Sequence, residues 1–267
     1  MPTAPVRDIE MAYEAAGPTG GAPVLLLHGV GNSSLVWRQA AAGLAAAGYR
    51  AIAGDSRGHG ASSKPDGPYT IEQMADDWAA LHAHLGLGPA HWVGSSMGGA
   101  IAMAAALRHP GRVASLVLVD TWPKTDAAFA AVLAERLRVL REEGIDAYAR
   151  LAYPQAFGAA YRAAHPEAYE GYRARVAQSD QRALAFAVGA LERHDLLARL
   201  HEIRVPTTVA VGEADTLLPP RHSEAIAATI PGARLVRFPD VGHLPMLEAP
   251  EAFLRELLDH LRRAAGT

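Results

Sequence analysis

Short runs of consecutive apolar residues alternate along the chain with longer stretches whose apolar positions recur every three or four residues. That alternation predicts a mostly parallel sheet flanked by helices. Residues 23–27 (PVLLL) run into His28-Gly29, and residues 49–54 (YRAIAG), 90–95 (AHWVGS), 113–119 (VASLVLV) and 207–212 (TTVAVG) behave alike. Unbroken apolar runs of this length suit strands buried on both faces. Residues 233–238 (ARLVRF) predict a further strand, nearer an edge because Arg234 and Arg237 interrupt it. Helices are predicted at 35–47, 71–86, 97–108, 222–229 and 250–263, the last two beside Pro219-Pro220 and Pro250, where proline fits a first turn.

One stretch breaks the alternation. From Trp122 to Arg204 there is helical spacing with Gly, Pro and Tyr punctuation and no strand-like run. It reads as a helical cap, residues 122–204, inserted into an α/β core formed by residues 1–121 and 205–267. It carries Tyr148, Tyr153, Tyr161, Tyr169 and Tyr172, which glue small helices together while one or two of the rings face a pocket.

The 267 residues suffice for one large α/β domain with such an insertion. Net charge is −3, so the basic surface that nucleic acids or anionic lipids require is missing, and neither is an expected partner. Asp8 and Glu10 fall where a signal peptide would need apolar residues, and the most apolar stretch, Met97 to Leu107, is too short to span a bilayer. A cytoplasmic protein is expected; assembly into a homo-oligomer is left open. Cysteine is absent, which removes thiolate nucleophiles and thiolate metal sites.

The chemistry that remains centres on Gly94-Ser95-Ser96-Met97-Gly98, a G-x-S-x-G match. It ends one predicted strand and opens an apolar helix, the setting of a nucleophile elbow. A serine on so sharp a turn needs glycines two residues to either side, since larger side chains would strike neighbouring backbone. Ser95 is adjacent, but the two glycines centre the elbow on Ser96.

A serine hydroxyl needs an imidazole to take its proton. Of twelve histidines, His243 stands in Asp240-Val241-Gly242-His243-Leu244-Pro245, a shaped loop following the last predicted strand. Loops at the carboxyl ends of strands are where open α/β sheets place reactive groups. The orienting acid should lie between the two in sequence. Asp215 does, just past strand 207–212; Glu213 and Asp120, which closes VLVD, are its rivals. The oxyanion donors are expected to be the backbone N–H groups of Met97 and of Val30, in the Gly-rich loop after strand 23–27. His28 is read as a buried residue holding that loop, and Asp55 and Arg57 as pins of the dense turn 54–62. No P-loop, no H-E-x-x-H and no other metal constellation stands in the sequence, so neither a metal nor a cofactor is expected.

With those residues placed, the chain resembles the α/β-hydrolase superfamily over nearly its whole length. HGVG at 28–31, GDSRGHGAS at 54–62, GSSMGG at 94–99, GEAD at 212–215 and VGHLPMLEAPEAF at 241–253 come in that order. It is similar above all to the branch of 3-oxoadipate enol-lactonases, small carboxylesterases and cofactor-free haloperoxidase-like hydrolases. The resemblance implies hydrolysis of a small-molecule ester or lactone. Carbon–carbon bond hydrolysis of a vinylogous diketone and slow, ligand-binding behaviour are the alternatives. Trp37 and Trp122 flank the loops and are expected to line the pocket.

Overall fold

In the computed structural model, which describes residues 1–266, eight strands form one sheet: β1 (Thr3–Val6), β2 (Ile9–Ala16), β3 (Pro23–Leu27), β4 (Arg50–Gly54), β5 (Ala90–Ser95), β6 (Val113–Val119), β7 (Thr207–Gly212) and β8 (Arg234–Phe238). Their order across the sheet is β1-β2-β4-β3-β5-β6-β7-β8, with β1, β2 and β4 joined antiparallel and every later pairing parallel. All residues of β5 and β7 are buried, which requires cover on both faces. β8 ends the sheet, and its exposed Arg237 is what an edge strand tolerates.

The hairpin β1–β2 is an addition to the strands expected from apolar runs. Its half-buried alternation, in which Ala4 and Val6 face inward while Thr3 and Pro5 face out, carries no continuous apolar run. Asp8 at its turn reaches Arg57, which is buried and also paired to Asp77. The hairpin is thereby tied to the 55–62 turn.

The helices beside the sheet are α1 (Arg38–Ala46), α2 (Ile71–His84), α3 (Met97–Arg108), α9 (Arg221–Thr229), α10 (Pro245–Glu248) and α11 (Pro250–Ala265). α1 packs on α11 and α2 packs on α3. The first ten residues of α3, all glycine, alanine or apolar, are buried, which is why its sequence lacks an amphipathic stripe. Between β6 and β7 run α4 (Ala127–Glu142), α5 (Ile145–Ala156), α6 (Ala159–Ala164), α7 (Ala168–Ala177) and α8 (Gln181–Glu192), with no strand among them. α4 packs on α8 and α5 on α7.

The crossovers decide where a ligand can approach. From β3 the chain steps to β4 on one side, then returns past β3 to β5 and continues the other way. The divergence leaves a crevice at the carboxyl ends of β3 and β5.

Candidate active site

Ser96 leaves β5 at that crevice with φ 53 and ψ −121, a strained conformation for a residue with a side chain. The turn is possible because its neighbours carry no Cβ. A Cβ on Gly94 would come 2.2 Å from the Gly98 carbonyl oxygen, and one on Gly98 would come 2.1 Å from that of Leu27. Thr121 adds a fastener from the next strand end, its hydroxyl donating to the Ser96 carbonyl at 2.8 Å. The Ser96 carbonyl also accepts from Gly99 and Ala100, so the elbow is locked to α3.

The adjacent strands end in ionisable groups: Asp120 after β6, Asp215 after β7 and His243 after β8. All three are buried. His243 Nδ1 donates to Asp215 Oδ2 at 2.7 Å. The other carboxylate oxygen of Asp215 accepts from the N–H groups of Leu217 and Leu218, at 2.8 and 3.0 Å, which fixes its plane. With Nδ1 carrying the proton, Nε2 is the nitrogen left with a lone pair. His243 and Ser96 line the same cavity, together with Val30, Asn32 and Tyr172. Glu213 lies elsewhere, more than two-fifths exposed and facing Arg237.

Asp120 stands behind the pair. Its Oδ1 accepts from the Gly212 N–H at 2.9 Å, while its buried Oδ2 has no hydrogen-bond partner among the described residues. Burial, and after it the charge of Asp215, push its carboxyl well above the usual range. Its protonated form is favoured by those surroundings. Donor atoms of Asp120, Asp215 and His243 lie within 4.8 Å of one another, the one grouping among the described residues that could hold a metal ion. The two nearest are hydrogen-bonded to each other, so they point at one another and not at a common vacancy.

On the other side of the cavity is the loop after β3. His28 braces it: the Ser56 N–H donates to its Nε2 at 2.9 Å, so Nδ1 carries the proton toward the Gly29 carbonyl at 2.8 Å. Burial lowers the pKa of His28, keeping the ring neutral. Asp55 pins both ends of the floor, accepting from Ser34 N–H at 2.7 Å and Ala61 N–H at 2.8 Å. Val30 borders the cavity, and its N–H finds no acceptor among the described residues. Met97 is the first residue of α3, where helical N–H groups have no intrahelical partner.

Trp37 and Trp122 do not line this cavity, contrary to expectation. Trp37 is buried against Phe253 of α11, with ring centroids 6.0 Å apart. Trp122 lies between Phe129 and His194, its Nε1 donating to Thr125 Oγ1 at 2.9 Å. Indoles flanking the loops are worth more as apolar packing, with any N–H bond made locally, than as walls of a wet pocket. The residues that do reach the cavity from the helical stretch are Arg136 of α4, Ala156 of α5 and Tyr172 of α7.

Glu248, in α10, is a site residue that the sequence did not single out. Its carboxylate accepts from the N–H groups of Gly242 (2.9 Å) and Leu244 (3.1 Å), on either side of His243, and from Gly158 (2.9 Å) at the start of α6. One side chain thus clamps the histidine loop to the helical stretch. Its only signal is its place five residues after a histidine in the VGHLPMLEAPEAF stretch.

The cavity at Ser96 has a volume of about 20 Å³, room for about one water. Larger hollows lie away from it, one of about 510 Å³ between α2 and α8 and one of about 630 Å³ beside β2 and α1. Neither is lined by Ser96 or His243.

Residues 22–250 match the family model described as alpha/beta hydrolase fold. A protein of Variovorax paradoxus that carries the name of a carbamate hydrolase, RutD, is 35% identical over 264 residues, 95% of this chain and 97% of its own. The crystal structure of the enol-lactonase from Burkholderia xenovorans LB400 superposes with a TM-score of 0.93 at 30% identity, covering 98% of this chain and 100% of that one. A thermophilic esterase from Thermogutta terrifontis gives 0.88 at 36% identity, over 96% and 94% of the two chains.

Proposed function

This chain belongs to the α/β-hydrolase fold family and is a hydrolase, and on that footing we propose that Ser96, His243 and Asp215 cleave a small carboxylic ester or lactone through an acyl-enzyme. The observation that carries the proposal is the buried 2.7 Å bond from His243 Nδ1 to Asp215, which leaves Nε2 as the free base in the cavity that Ser96 lines.

The chemistry follows from the geometry. His243 Nε2 takes the Ser96 proton as Oγ attacks the carbonyl carbon, and the imidazolium so formed is stabilised by Asp215. Charge gathering on the carbonyl oxygen falls to the N–H groups of Val30 and Met97, which have no other acceptor among the described residues. The imidazolium returns its proton to the departing alkoxide, and the alcohol leaves. Water, deprotonated by the same nitrogen, then frees the acid and restores Ser96. In a lactone the leaving alkoxide stays tethered, and the steps are the same.

Residues 122–204 serve as the cap. Their Arg136, Ala156 and Tyr172 close a space of about 20 Å³, so a substrate enters only as these helices draw back. The name of the Variovorax relative favours a second reading, a carbamate in place of the ester, which the same residues would attack at the same kind of carbonyl.

A fluorophosphonate should label Ser96 stoichiometrically. Ser96→Ala should lose both labelling and turnover of short-chain esters, and full turnover in that variant would refute the assignment. Parallel assays of an ester and the corresponding carbamate rank the two readings.

A further inference from the structure

Eleven other arginines among the described residues sit in ion pairs, and those on the cap helices make the contrast plain. Arg138 meets Glu135 and Glu142, and Arg173 meets Asp146 and Glu170, all of them well exposed. Arg136 is the reverse: 4% exposed, and with no carboxylate at ion-pair distance among the described residues. Its Nε and Nη2 both donate to one neutral oxygen, Gln155 Oε1, at 3.0 and 2.6 Å. The guanidinium lies 6.0 Å from the Tyr148 ring centre, and Tyr172 shares its cavity. Burial holds both phenols above their ordinary range, so they supply no counter-charge.

A buried cation without a counter-ion is costly, and a protein keeps one where something else completes it. Arg136 lines the cavity that holds Ser96 and His243. Asn32, in the same cavity, has a buried side-chain oxygen without a partner. A small ligand in contact with Ser96 is therefore within reach of a planar, permanently charged fork suited to a carboxylate.

We infer that Arg136 is a specificity-determining residue that holds a carboxylate of the substrate, so that the preferred substrates are esters or lactones bearing a free acid group. The inference rests on Ser96 being the nucleophile, and the test separates the two. The probes are the monomethyl and dimethyl esters of succinic acid, which share an acyl chain and differ by one charge.

Wild-type enzyme should favour the monoester in kcat/KM by about 10- to 100-fold, the range that a charge-assisted bond supports. Arg136→Met should abolish that preference by raising KM for the monoester far more than for the diester. Arg136→Lys should restore part of the preference. Succinate should slow fluorophosphonate labelling of wild-type Ser96 and leave the Met variant unprotected. The wild-type comparisons need no variant, so a misfolded Arg136→Met protein does not rescue the inference. Equal use of the two esters without protection by succinate overturns it, as does a monoester preference that survives in the Met variant. Absence of any label on Ser96 overturns instead the assignment of the nucleophile.

Discussion

Hydrogen bonds to backbone groups hold the reactive rim of the sheet, whereas ring packing holds much of the helical stretch above it. Asp215 is fixed by two N–H groups, the loop around His243 by Glu248, and Ser96 by a strained elbow whose glycines leave no slack. In the helical stretch, Phe157 packs with Tyr153, Tyr161 and Tyr172 at ring separations of 5.4, 5.2 and 6.0 Å, and the outer faces carry exposed ion pairs worth little each. Geometry that must hold to a fraction of an ångström is built from short covalent spans and hydrogen bonds. A cover that must part to admit a ligand is built from ring packing, which lacks directional bonds. Damage to the rim should therefore appear in rate, and damage to the cover in stability or selectivity.

The sharpest division is expected from Asp215→Asn. By analogy with the loss of a triad carboxylate elsewhere, kcat should fall about 10⁴-fold, because the amide favours the wrong imidazole tautomer. The melting temperature should hold or rise, since a charge beside buried Asp120 is removed. A large loss of stability with modest loss of rate would break the comparison. Phe157→Ala probes the opposite region. It should cost about 3 kcal/mol of stability in urea unfolding while Ser96 in the folded fraction is labelled at close to the wild-type rate. Glu248→Ala touches both regions, and a misplacement of His243 should lower kcat about 10- to 100-fold. Glu248→Gln should recover part of that, because its amide oxygen still accepts.

The smallest effect concerns acid. Burial lowers His59 to about 3 and His194 and His260 to about 4, all in the core or at its junction with the helices. The unfolded chain takes up these protons near pH 6.5 and the folded chain does not. Stability is then complete above about pH 6.5 and declines as pH falls toward the folded values. Melting temperatures recorded from pH 7.5 to 4 should decline steadily; a flat profile would mean that these rings are not held neutral.

Much of this was legible in the sequence. Strands at 23–27, 90–95, 113–119 and 207–212 coincide with β3, β5, β6 and β7, because strands buried on both faces leave uninterrupted apolar runs. The elbow was legible for a related reason, since backbone strain demands glycine at fixed offsets. The β1–β2 hairpin was less so, its short half-exposed strands resembling any polar terminus. Arg136 acts through Gln155 on another helix and Glu248 in part through the distant Gly158, and no local pattern separates a buried arginine from a solvated one. Trp37 and Trp122 failed as pocket residues because nearness to a loop does not fix which way a side chain turns.

The most direct test of the central claim is the covalent intermediate itself. Rapid quenching of the enzyme with an activated ester such as 4-nitrophenyl acetate, followed by digestion and mass spectrometry, should find one acyl group on the peptide holding Ser96 and none in Ser96→Ala. Release of nitrophenol with that peptide unmodified throughout turnover would contradict it.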